Sequence, residues 1–206
     1  MQKLIMLSGL PACGKSTLAK KYREEGYAVV SIDSMRRELF GDINQQSGEL
    51  TREEFDRHYP EYESFYNYFF VGKPPYIDGA FMSALAQRMI ADALKNGKDV
   101  VYDATNLAHR KEFFDAVDAL VAGEAEYQKY LMYKIMDIDT VLERSLDRIN
   151  RNYKKVKQYI DNGCQGDHPE FEVAVTSGAL LEMFERYKMN PPEKEDIEGL
   201  IKEEFQ

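Results

Sequence analysis

Gly9-Leu10-Pro11-Ala12-Cys13-Gly14-Lys15-Ser16 stands between the apolar run Leu4-Ile5-Met6-Leu7 and the stretch Thr17-Leu18-Ala19-Lys20-Lys21-Tyr22. The eight residues fill the pattern G-x-x-x-x-G-K-[ST], and each fixed position has a physical task. Gly9 and Gly14 permit backbone conformations that turn consecutive N–H groups inward as a nest for phosphate oxygens. Lys15 brings a point charge to the β- and γ-phosphates, and the Ser16 hydroxyl suits Mg²⁺. The flanks agree. A short apolar run reads as a buried parallel strand, and the residues after the loop read as a helix whose N-terminus faces the anion. The expected nucleotide-binding set is Gly9, Pro11, Ala12, Cys13, Gly14, Lys15, Ser16 and Thr17, with ATP and Mg²⁺ as the cofactors.

Beyond the loop, strand and helix patterns alternate, as a parallel sheet with crossover helices requires. Residues 27–32 read as a second strand ending at Asp33, with a helix from Ser34 to Gly41. Residues 42–50 read as polar loop. Thr51-Arg52-Glu53-Glu54 has capping-box form, and Pro60 divides the next stretch into two short helices. A helix is predicted from about Gly79 to Asn96, then strands at 99–103 and 127–136 with a helix from about His109 between them. Helical pattern returns over 140–160 and 177–188, and a last short strand is predicted near 197–201. The whole reads as one α/β domain of 206 residues, with a helical insertion about 42–78 and a lid about 140–170.

Composition narrows the class. With 44% hydrophobic and 31% charged residues the chain has the make-up of a globular protein. No apolar run approaches the ~20 residues of a membrane span, and the first strand begins almost at once, so a cytoplasmic setting is expected with no signal peptide and no membrane partner. Cys13 and Cys164 make no ligand or disulfide framework. A net charge of −9 speaks against holding long duplexes electrostatically, so a nucleic-acid substrate must be gripped locally.

A phosphate loop identifies the bound nucleotide class, and the reaction must be read from other positions. Guanine-reading Asn-Lys-x-Asp is absent, and the third strand ends in a single Asp103 rather than paired acids, which disfavours switch GTPases and motor ATPases. Asp33, at the carboxyl edge of the sheet, is placed to accept a proton from an attacking hydroxyl. Arg36, one helical turn on, is placed to hold an anionic acceptor. Asp103 can join Ser16 at Mg²⁺, while Thr105 and Asn106 either position the acceptor or shape their turn. Arg144, Arg148 and Arg151 recur at helical spacing, so a lid carrying them can neutralise charge during phosphoryl transfer. The aromatic residues from Phe55 to Phe70 fit core packing by their helical spacing better than base stacking. His58, His109 and His168 have no metal-ligand spacing.

The blocks Gly9 to Ser16, Ser31-Ile-Asp33-Ser-Met-Arg36 and Val101-Tyr-Asp103-Ala-Thr-Asn106 together resemble the kinase domain of the P-loop polynucleotide 5′-kinases, of both phage and bacterial RNA-repair types. Asp139-Thr140 leading to Arg148 resembles that family's lid entry, and Pro191-Pro192 with Glu198-Gly199 resembles its closing segment. The resemblance implies a P-loop NTPase three-layer sandwich with sheet order 2-3-1-4-5, and transfer of the ATP γ-phosphate to a polynucleotide 5′ end. It implies Lys15 and Ser16 as the phosphate and Mg²⁺ pair, Asp33 as general base, Arg36 as the acceptor contact, and Arg148 with Arg151 as lid arginines. The lid lacks the family's Arg-Asn pair with a second Arg four residues later, position 152 being Asn. No Asp-x-Asp phosphatase motif is attached. Related P-loop kinases act on nucleosides, sugars, antibiotics or modified bases. Oligomeric state is not legible here.

Overall fold

The computed structural model describes residues 1–206. Strand β1 (Gln2–Ser8) is inside on both faces from Leu4 to Ser8, and the phosphate loop leads from it into α1 (Lys15–Glu24). β2 (Ala28–Ser31) passes directly into α2 (Ile32–Phe40), and β3 (Gly48–Glu49), α3 (Arg52–His58) and α4 (Glu63–Phe69) come after it. β4 (Tyr76–Ile77), α5 (Gly79–Lys95), β5 (Val100–Asp103), α6 (Arg110–Val121) and β6 (Tyr127–Tyr133) are next in order. The chain closes with α7 (Ile138–Asp161), α8 (Ser177–Met189) and β7 (Leu200–Glu204).

Five strands form one sheet in the order β2-β5-β1-β6-β7, every neighbour parallel. Counting only these strands, the order is the 2-3-1-4-5 implied by the resemblance. Buried Leu4, Val100 and Leu131 pack in the main core with Phe81, Leu85 and Ile90 of α5 and Phe113, Phe114 and Val117 of α6. A separate cluster of Ile5, Leu7, Ala19 and Val101 joins the other face of the sheet to α1. These are the three layers of a P-loop sandwich.

The insertion is built on the same core. β3 and β4 pair antiparallel and close its base. Thr51 and Glu54 complete the capping box reciprocally, Glu54 N–H to Thr51 Oγ1 at 3.3 Å and Thr51 N–H to Glu54 Oε2 at 2.8 Å. Pro60 opens a 3-10 turn between α3 and α4, as expected. Phe55, Phe65, Tyr66, Phe69 and Phe70 surround the Phe81 ring with centroid separations from 5.0 to 6.2 Å. The aromatic segment is therefore core, with Tyr68 outside at 77% exposure.

Three element boundaries depart from expectation. Asp33 does not end a strand: β2 stops at Ser31, whose hydroxyl accepts from Ser34 N–H and starts α2 at Ile32. β6 ends at Tyr133, not 136. The last strand runs over 200–204 rather than 197–201, because Gly199 at φ 72° makes a turn that Leu200 N–H closes onto the Ile197 carbonyl at 3.1 Å.

Candidate functional site

Register brings the site together. Leu7 of β1 pairs with Asp103 of β5, and Asp103 pairs with Ser31 of β2. The phosphate loop, the turn after Asp103 and the start of α2 carrying Asp33 therefore leave the sheet at one edge. This is the carboxyl edge where open α/β sheets bind ligands.

Within the loop, Gly9 adopts φ 154° and Gly14 φ 104°, and Ala12 is also left-handed at 65°. A Cβ on Gly9 would lie 2.8 Å from Cys13 Sγ and 3.3 Å from the Lys134 carbonyl, so the loop has no room for a side chain there. Lys15 is buried, and its ammonium donates to the carbonyls of Gly9 and Leu10, each at 2.9 Å. Lys15 and Ser16 open α1, so their N–H groups have no partner within the helix and can bind an anion. Cys13 and Cys164 are both free thiols, the first buried and the second exposed.

Asp103 is buried. Desolvation raises its pKa, nearby Asp33 adds to the rise, and Lys15 and a hydrogen bond from Ser16 oppose it. The Ser16 hydroxyl and one carboxylate make a hard oxygen set suited to Mg²⁺, which keeps several waters and takes the rest of its shell from phosphates. No group of three or more His, Cys, Asp or Glu side chains offers an all-protein metal cage. The residues present fit Mg²⁺ carried with a nucleotide.

Arg36 Nη1 reaches Asp33 Oδ1 at 3.1 Å, with the Asp33 side chain 37% exposed and Arg36 18%. Arg36 Nε is buried without a partner. Asn106 is committed to its turn. It sits at φ 45°, and its amide donates to the Leu7 carbonyl at 2.7 Å. The Thr105 carbonyl accepts from Gly9 N–H at 3.0 Å. These bonds tie the 104–106 turn to the start of the phosphate loop.

The helix that carries the three arginines is capped by Asp137, whose Oδ1 accepts from Thr140 N–H at 2.8 Å. Arg144 Nη1 donates to the Ala12 carbonyl at 3.1 Å, so the lid helix touches the phosphate loop at this residue. Arg151 makes a two-pronged pair with Glu172 at 2.7 and 2.8 Å, and Arg148 Nε lies 3.9 Å from the same carboxylate. The hydrogen bond from Arg151 holds the Glu172 carboxyl below its ordinary pKa. The strap around Glu172 is anchored on both sides. Asn152 exchanges two bonds with the Glu172 backbone at 2.8 and 2.9 Å, and Asn44 bonds the backbone of Glu172 and Ala174. α7 and the strap are thereby fastened to the loop after α2.

Sequence reasoning missed Arg110. Its side chain is fully buried and donates to the Asn106 carbonyl at 2.7 Å, Glu195 Oε2 at 2.6 Å and the Asn190 carbonyl at 3.0 Å. Ser8 lies 3.4 Å away and donates its own hydroxyl to the Asn106 carbonyl. One guanidinium therefore joins the end of β1, the turn after β5 and the 190–195 segment. The signal was present: Arg110 shares the helical face of Phe113, Phe114, Val117 and Val121.

A family model described as an AAA domain matches residues 4–160. Among solved structures, a candidate kinase from Chloroflexus aurantiacus is similar, with 17% identity over 98% of this chain and 88% of that one and a TM-score of 0.57. Chaetomium thermophilum Kti12 in complex with ADP-AlF3 is similar at 16% identity, covering 98% and 89%, with a TM-score of 0.50. No curated protein matches the chain. No helix is long and apolar enough to cross a membrane.

Proposed function

This chain belongs to the AAA domain family whose model spans residues 4–160, a family of P-loop kinase fold, and from that premise we propose that it moves the γ-phosphoryl group of ATP to the 5′-hydroxyl of a polynucleotide. The observation that carries the proposal is the shared edge: Asp33, Arg36, the phosphate loop and Asp103 converge through the Leu7–Asp103–Ser31 register.

In the proposed reaction the Asp33 carboxylate accepts the proton of the acceptor hydroxyl as its oxygen attacks the γ-phosphorus, and ADP leaves through its β-phosphate oxygen. Lys15 exchanges its Gly9 and Leu10 carbonyls for β- and γ-phosphate oxygens, which bind an ammonium more strongly because they are charged. Ser16 and Asp103 would hold Mg²⁺, which neutralises charge on the β- and γ-phosphates. Arg36, held beside Asp33 through Nη1, is assigned to the acceptor phosphodiester, and Thr105 to the same acceptor. Arg144 enters from the lid over Ala12, and Arg148 and Arg151 reach the triphosphate once Glu172 releases them. That Kti12, similar in fold, was captured in complex with ADP-AlF3 supports an adenine nucleotide as the ligand here.

The net charge of −9 favours a second reading, phosphorylation of a nucleoside or another small molecule by the same base and lid. Labelled ATP is offered a 5′-hydroxyl oligonucleotide, free nucleosides, or no acceptor, and the products are separated by thin-layer chromatography. Label on the oligonucleotide is the expected result. Label on nucleosides alone transfers the assignment to the second reading, and transfer to neither removes both acceptor assignments.

A further inference from the structure

The lid helix carries a stripe that the proposed chemistry does not use. Leu142, Leu146, Ile149, Tyr153, Val156 and Ile160 lie on α7, each between 37% and 70% exposed. Their spacings alternate four, three, four, three, four, which is the a/d repeat of a coiled-coil seam. At ~1.5 Å per residue the stripe runs about 27 Å. The helix packs inward through Val141 and Ser145, roughly a quarter-turn away, while Arg144 and Arg151 point to the side opposite the stripe. The seam therefore faces away from the phosphate loop.

Charge along the same helix selects the partner. Asp139, Glu143 and Asp147 stand with Arg144 and Arg148 in its first half, and Arg151, Lys154, Lys155 and Lys157 with Asp161 in its second, so acid predominates slightly in the first and base in the second. Beside the seam, Glu143 and Lys157 hold equivalent heptad positions. Two copies laid parallel face each of these residues with the partner copy's residue five positions earlier, Glu143 with Ile138 and Lys157 with Asn152, and make no charge pair. Laid antiparallel about residue 151, they pack Leu142 on Ile160, Leu146 on Val156 and Ile149 on Tyr153, and bring each Glu143 to the partner copy's Lys157. Both the apolar layers and the charges are then complementary.

We propose that α7 is a homodimer interface in which two copies of this chain join their lid helices as an antiparallel two-stranded coiled coil. The helix is already ordered by its own domain, so association does not bear the cost of forming it. The short seam places the dimer in the micromolar class. The pairing also places two nucleotide sites on opposite outer sides of a shared lid.

Sedimentation equilibrium on the full chain tests the proposal, with helix content by circular dichroism and ATP binding measured in parallel as folding controls. The expected result is a concentration-dependent species of twice the 23.9 kDa monomer mass. Leu146→Asp with Tyr153→Asp should leave only monomer with ATP binding retained. Glu143→Lys alone, or Lys157→Glu alone, should raise the dimer Kd by roughly tenfold, because two attractive pairs become repulsive. The double variant should return it to near the wild-type value. Monomer at every concentration overturns the proposal, as does a dimer indifferent to the seam substitutions. Failure of the charge swap to rescue overturns the antiparallel register.

Discussion

At Gly9 a single hydrogen separates a working loop from a collision. A methyl group there meets Cys13 Sγ at 2.8 Å, and the backbone holds φ 154°. Gly9→Ala should therefore weaken ATP binding at least ~10-fold and lower the melting temperature, since the positive φ strains any side chain by about 1–3 kcal/mol and the Lys134 carbonyl at 3.3 Å stays close even when the Cys13 thiol turns aside. Calorimetric titration with ATP and a thermal melt check both, and an unchanged Kd would show that the loop rearranges freely. The loop from Gly9 to Ser16, with positive φ at both glycines and a helix opening at Lys15, was legible because the motif's spacing dictates that backbone. Asn106 was legible only as an alternative. Whether an amide points at an acceptor or at the Leu7 carbonyl depends on a strand some hundred residues earlier in the chain. Arg144 was legible as one of three arginines, but the contact that distinguishes it, at the Ala12 carbonyl, arises from the approach of two elements.

Among the elements, α7 and its strap depend on the Glu172 carboxylate. Arg151 holds that carboxyl below its ordinary pKa. A depressed folded-state pKa contributes stability that is fully present above the unfolded value, about 4.3, and is lost as pH falls through the folded value. Hydrogen exchange at the Glu172 and Ala174 amides, which donate to Asn152 and Asn44, should therefore be slow at neutral pH and accelerate as pH falls below ~4, after correction for intrinsic rates. Glu172→Gln should show the faster exchange already at neutral pH. An identical profile in that variant would mean that the Asn44 and Asn152 bonds hold the strap alone. The helices and the five sheet strands were legible from period and caps, as Thr51 with Glu54 illustrates, whereas β3 and β4 were not, since two residues show no period and Gly48–Glu49 lies in a stretch that reads as polar loop. The start of α2 was not, because Ser31 reads as the last polar position of a strand although its hydroxyl caps the helix. The helical spacing that marks the aromatic insertion as core is matched by Phe81, around which those rings gather.

Across the whole molecule, Arg110 joins segments distant in sequence: the end of β1, the turn after β5 and the 190–195 segment. Arg110→Met leaves Glu195 and the Leu107 and Asn190 carbonyls without their buried donor, while Asn106 keeps the Ser8 hydroxyl, so a loss of roughly 3–5 kcal/mol in denaturant unfolding is expected. A loss below ~1 kcal/mol would show that water replaces the guanidinium there. A parallel sheet with crossover helices was legible from the alternating elements, and its strand order from the resemblance of the blocks at Gly9–Ser16, Ser31–Arg36 and Val101–Asn106 to P-loop kinases. The long-range joints were not, since no local pattern states which distant carbonyl a buried arginine will find. The proposed kinase chemistry at this sheet edge stands on Asp33 acting as base on a hydroxyl next to a triphosphate held by the loop. The decisive experiment is single-turnover transfer from ATP to a 5′-hydroxyl oligonucleotide with Asp33→Asn, the Kd for ATP being measured on the same sample. A rate lower by about 10²–10⁴-fold is expected, with the ATP Kd essentially unchanged. Transfer at the wild-type rate, or loss of ATP binding in place of loss of transfer, would remove Asp33 from that role.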